Sequence, residues 1–310
     1  VSNEATVAAY GGQAVLNGVM MRGASTWAVA VRAPDGRIVT TSGSVPGAAA
    51  RFARVPVVRG VVGLVESLRL GAKAVQWSAV QSEVGGPGAD PADPAGPDGA
   101  DADAQSGLVD RLFTVVGVAA VLALFVVVPG VAAGLLPGSH SGVGFSLIEG
   151  VIRIALLIGY ISALGLVPDL RRVYEYHGAE HKAVTALEAG APLTPESVNR
   201  FSTRHPRCGT TFLLVVMVVG VIVLPLAGRP ALPLLIASRL VLIPVIAGLS
   251  YEVIKWAAAR IDRPVVRRIM APGLALQRLT TRPPTAEQVE VALAALQLVL
   301  EADEGLPDAA

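Results

Sequence analysis

The sequence predicts a membrane α-helical protein with about four transmembrane helices, a small N-terminal α+β cytoplasmic domain and a helical cytoplasmic loop. Three observations predict it. Apolar runs at 112–136, 145–167, 212–227 and 230–249 approach the ~20 residues that cross a hydrocarbon core. Lys and Arg crowd the segments on one side of these runs and are sparse on the other. Three of the four histidines and the single cysteine fall in one polar stretch, residues 168–211. The 53% hydrophobic content and mean hydropathy of +0.59 decide less than this distribution does. A net charge of +1 gives no basic character for nucleic acid. One cysteine excludes an intramolecular disulfide.

The N-terminal domain comprises residues 1–84. Its start has neither a basic n-region nor a long apolar h-region, so no cleavable signal peptide is expected. Gly11–Val15 and Val19–Met21 read together as a strand with glycines at its ends. Trp27–Val31 and Arg37–Thr40 flank Pro34-Asp35-Gly36 and read as a β-hairpin. Residues 55–79 have helical spacing, with Val58, Val61, Val62, Val65, Leu68 and Ala72 on one stripe. That stripe suits either the membrane surface or packing on the hairpin.

Residues 85–107 hold Gly, Pro, Ala, Asp and little else, with no larger apolar residue. They read as a disordered acidic linker. The membrane domain follows at 108–250. Its second run contains Glu149 and Arg153 and its fourth contains Arg239; intramembrane charges are costly, so Glu149 and Arg239 are expected to pair or to snorkel. The loop between runs one and two has no Lys or Arg, whereas 168–211 has Arg171, Arg172, Lys182, Arg200, Arg204 and Arg207. The positive-inside rule therefore places both termini and the 168–211 loop in the cytoplasm. Residues 251–310 form cytoplasmic C-terminal helices. The last opens on a Thr285/Gln288 capping box and carries Val289, Ala292, Leu293, Leu296 and Leu300 on one face. That face needs a partner, either the N-terminal domain or the loop.

The chemistry gathers at Tyr174-Glu-Tyr-His-Gly-Ala-Glu-His-Lys182. His177 and His181 are four apart, which puts both imidazoles on one helix face, able to share a metal ion. Glu180 beside them would polarise water at that metal. The pattern is His-x-x-Glu-His, the inverted zincin order, with the glutamate as base. Further on, His205 and Cys208 stand three apart in a segment broken by Pro206 and Gly209. A turn at Gly190-Ala-Pro-Leu-Thr-Pro-Glu196 would fold them back, completing a tetrahedral set of His177, His181, His205 and Cys208 for a divalent metal, zinc in the first instance. Four protein ligands imply a closed, structural site, and fewer leave room for water and a role for Glu180. Glu252, near the cytoplasmic end of the fourth run, stands where it would approach the histidine loop.

Six segments carry a resemblance. They are Tyr10–Gly23, Arg59–Ser67, Tyr176–Lys182, His205–Thr210, Gly248–Lys255 and Pro272–Thr281. Together they resemble the YqhQ-like bacterial membrane proteins, known as domain of unknown function 1385, over nearly the whole chain apart from the linker. The family is labelled a predicted metal-dependent enzyme. The resemblance therefore implies a bacterial inner-membrane, multi-pass protein with a metal site, and supplies no substrate. Where the family motif has Glu, this chain has Asn17, which weakens any acid–base role for the N-terminal motif. Two functions follow as expectations: a metal-dependent hydrolase at the cytoplasmic face, or a non-catalytic assembly factor that meets membrane-protein clients over a structural metal. A metal transporter fits less well, because the first and third runs carry no ligating carboxylate or histidine.

Overall fold

The computed structural model describes residues 10–47, 51–83, 115–117, 119–137, 142–228 and 231–304. The linker at 85–107, the start of the first apolar run and His140 lie outside them.

Strands β1 (Gly11–Val15), β2 (Gly18–Arg22), β3 (Thr26–Arg32) and β4 (Ile38–Ser44) form an antiparallel sheet in sequence order. The expected single strand over 11–21 is in fact a hairpin. Val15 pairs with Gly18 across Leu16-Asn17, and Asn17 takes a left-handed φ of 51°, which Asn tolerates better than other side chains. Position 17 therefore serves the turn. The β3–β4 hairpin lies where the sequence put it, with Arg32 opposite Ile38 and Gly36 at a φ of 88°.

Side chains alternate across the sheet, so each face buries its own set. Val15, Met20, Trp27, Val29 and Val31 meet Leu70, Ala74 and Trp77 of helix α1 (Val58–Glu83). The opposite face, with Val19, Met21, Ala28 and Ala30, packs on the polar-loop helix and the C-terminal helix described below. The stripe read from the sequence is not the face that α1 buries. Val58, Val65 and Leu68 are exposed, whereas Gly60, Glu66, Leu70 and Ala74 face inward.

Among the described residues, four helices are long and apolar enough to cross a membrane. They are α2 (Val115–Leu135), α3 (Gly142–Leu164, apolar over Val143–Leu164), α6 with the 3₁₀ turn after it (Gly209–Leu226) and α7 (Leu232–Ala258, apolar over Pro233–Ala258). The last outruns its predicted end at 249. In α2, Pro129 has no N–H for the carbonyl of Phe125 four residues back. The helix widens to π geometry over Ala123–Val127, and Arg153 Nε donates to the freed Phe125 oxygen at 2.8 Å. Arg153 also donates to Glu149 at 2.5 Å, and Arg239 Nη2 of α7 donates to Glu149 at 3.1 Å. The expected Glu149–Arg239 pair is thus present, as part of a buried triad.

Between α3 and α6 lie α4 (Pro168–Glu188) and the single turn α5 (Pro195–Val198), capped by the Thr194 hydroxyl. Helix α8 (Pro264–Thr280) seats Leu276 against Leu157 and Ile161 of α3. Helix α9 (Ala286–Glu304) opens on the expected box: Gln288 Oε1 accepts from Thr285 N at 2.9 Å and Thr285 Oγ1 from Gln288 N at 3.3 Å. Its apolar face meets both expected partners, the sheet and α4.

Candidate metal centre

The centre is assembled from α4, the loop before α6, and the exit from α8. Gly178 makes the meeting possible. The carbonyl of Arg282 lies so close to it that a Cβ would overlap, and Arg282 N donates to Tyr174 O at 2.9 Å. The chain leaving α8 therefore runs directly over the His-x-x-Glu-His turn. It brings the Thr280 carbonyl to 2.9 Å from His177 Nδ1. The Thr203 carbonyl stands 2.6 Å from His181 Nδ1 in the same way. A carbonyl only accepts, so both imidazoles donate from Nδ1 and turn Nε2 inward, the atom a metal would take.

Cys208 caps the N-terminus of α6. Its sulfur accepts from Thr210 N at 3.3 Å and stands 3.2 Å from His177 Nε2. His177, His181 and Cys208 each offer a ligand atom within 4.8 Å of the other two. Tetrahedral zinc with ordinary bond lengths spaces such atoms by about 3.3–3.7 Å. The Cys208–His177 pair at 3.2 Å is near that spacing and the three atoms lie within 4.8 Å of one another, so the donor set fits a divalent cation. Glu180 is 5% exposed, and its Oε2 lies 3.5 Å from His181 Nε2. Gly12 of β1 presses on this glutamate, since a Cβ there would come 2.9 Å from Glu180 Cγ.

His205 is near this cluster but turned away from it. Its ring centre is 5.8 Å from that of His181, while its Nε2 lies 3.1 Å from Glu188 Oε2. Gln277 clamps the His205 backbone, accepting from its N at 2.9 Å and donating to its O at 2.7 Å. Arg207 donates to the other Glu188 oxygen. Burial pushes the Glu188 carboxyl up, but His205 and Arg207 together outweigh it and hold the group below its usual range. Burial lowers the neighbouring Lys182, whose Nζ donates to Asn199 O at 2.5 Å. The structure thus groups three of the four expected ligands and gives His205 a carboxylate partner. Glu252 does not approach the histidines; it pairs with Arg59 of α1. Sequence reasoning missed Thr203, Thr280, Gln277 and Glu188. The first two act through backbone oxygens, which leave no residue-type signal; the glycine inside the motif was the one available hint.

No solved structure matches this chain. It is 34% identical over 291 residues to the uncharacterized protein YqhQ of Bacillus subtilis (strain 168), covering 92% of this chain and 90% of that one. The family model described as protein of unknown function (DUF1385) matches residues 55–302. Motif, extent and identity agree: the chain belongs to the DUF1385 family.

Proposed function

We propose that this chain is a multi-pass protein of the bacterial cytoplasmic membrane that holds a divalent metal between His177, His181 and Cys208 and acts as a hydrolase at the cytoplasmic face. The observation that carries the reading is the inward set of two imidazole Nε2 atoms and one sulfur, with a Glu180 oxygen 3.5 Å from the Nε2 of His181. A divalent cation bound there supplies Lewis acidity and makes water a stronger acid at neutral pH. Three protein ligands leave a fourth position open, as catalytic sites do. Glu180 is placed to take a proton from water and return it to a leaving group. Thr203 and Thr280 hold the imidazoles in orientation, and Gly12 confines the glutamate.

A second reading, an assembly factor with a structural metal, is favoured by burial: His181 is 2% exposed and leaves little room for substrate. One experiment separates them. Metal content is measured on the purified full chain, and function by complementation of a strain lacking the protein. His177→Ala, His181→Ala and Cys208→Ser each lower bound metal. Glu180→Gln keeps the metal and loses function under the hydrolase reading; full function in that variant leaves the assembly factor standing. Unchanged metal in all three ligand variants ends both.

A further inference from the structure

Helix α1 leaves the fourth apolar helix at a fixed joint. Gly60 is pressed against Tyr251 and Gly248 against Val57, and Arg59 pairs with Glu252. Gly248, Tyr251 and Glu252 all lie within the apolar segment Pro233–Ala258. From this joint α1 turns one face to the sheet and an apolar stripe outward. Val58, Val65, Leu68 and Val75 are exposed on it. Such a stripe on a helix tied to a span suits the headgroup–acyl boundary.

Beside the stripe, between α1 and the edge of the sheet, is a pocket of about 340 Å³. Trp27, Val62, Val65 and Leu70 line it, together with Arg69 and Lys73. Val65 belongs to both stripe and pocket. Arg69 and Lys73 are exposed, so they stand at the rim. Glu66 also lines the pocket, but Arg22 holds its carboxylate at 2.7 Å and offsets its charge. Apolar walls, an indole at the base and two cations at the rim match a ligand with a hydrocarbon body and an anionic head. The volume falls within the roughly 300–1,000 Å³ range of small-molecule sites.

We propose that this pocket binds one anionic phospholipid of the inner leaflet, an acyl chain against Trp27 and the phosphate between Arg69 and Lys73. The inference rests on the membrane reading above, and not on the metal. Occupation by lipid would fix the N-terminal domain, and with it Gly12 beside Glu180, at the bilayer surface.

The test is fluorescence quenching of the full chain in nanodiscs whose phosphatidylglycerol or phosphatidylcholine carries brominated acyl chains. The Trp27 contribution is the difference between the wild type and Trp27→Phe. Brominated phosphatidylglycerol should quench it at about tenfold lower mole fraction than brominated phosphatidylcholine, given two rim cations. Arg69→Glu with Lys73→Glu should erase that preference. Val62→Phe, which fills the pocket and leaves Trp27 in place, should abolish the quenching even where Trp27→Phe does not fold. Trp256, 48% exposed at the end of α7, is the internal reference. Quenching of Trp256 without Trp27 overturns the lipid site and leaves the membrane reading intact. Equal quenching of Trp27 by both lipids overturns headgroup recognition. Quenching of no tryptophan overturns the membrane reading itself.

Discussion

At Gly178 a single hydrogen in place of a methyl lets the Arg282 carbonyl pass over α4, and that passage delivers the Thr280 oxygen to His177. Gly178→Ala should push the 281–283 segment away and free the imidazole to rotate. Losing such a partner typically weakens metal binding about 10–100-fold, and zinc competition against a chelator would measure it. Unchanged affinity would show that the Thr280 contact is incidental. His205→Ala is expected to keep its metal, because its Nε2 is committed to Glu188. Glu188 also gives a pH signature. Its folded pKa lies below the ordinary 4.5, so its stabilising contribution is present in full above that value and is lost as pH falls through the folded pKa. The gap in thermal midpoint between the wild type and Glu188→Gln should therefore be widest near neutrality and close in acid; a gap independent of pH would refute the ion pair. That His177, His181 and Cys208 come together was legible because His and Cys are few in this chain and i, i+4 spacing is geometric. The destination of His205 was not, because it is decided by Glu188 and Arg207, whose charges read from sequence as ordinary solvated groups.

Elements with a strong local rule were the readable ones. The capping box of α9 and the β3–β4 turn depend on residues three or four apart, and both formed where expected. Asn17-Gly18 is an equally local turn signal, but it sits between two short runs that also read as one strand. Of the two roles open to the stripe of α1, packing on the hairpin is not the one it takes, because a valine-rich face is indistinguishable in sequence from a core face; the sheet meets Leu70, Ala74 and Trp77 instead. Among the apolar helices, Glu149 holds the guanidiniums of Arg153 and Arg239 together. Glu149→Leu would leave both cations buried without a counter-charge. A loss of about 3–5 kcal/mol is expected in detergent unfolding, whereas replacing all three by apolar residues should cost far less. Equal losses in the two variants would show that the triad is exposed to water.

At the scale of the whole molecule, the sheet, α4 and α9 share one core although 279 positions separate Asp303 from the Ala24 backbone it caps at 3.0 Å. Under the proposed membrane reading, such a core puts the N-terminal domain, the 168–211 loop and the C-terminus on one side of the bilayer. Reporters at residues 90 and 195 and at the C-terminus should therefore read cytoplasmic, and one at 140 periplasmic. A periplasmic signal at 195 would overturn the four-span arrangement. Deleting residues 87–104 should leave insertion and complementation intact, because a Gly/Pro/Ala/Asp stretch has too little apolar surface to hold a fold. Finally, the chain has one thiol, and it is the sulfur of Cys208. Any maleimide the protein takes up must therefore react inside the cluster formed with His177 and His181. The rate of alkylation then reports occupancy directly on the unaltered protein, in native membranes and without engineering a probe. A sulfur engaged by a cation reacts slowly, and stripping the cation with a chelator unmasks it.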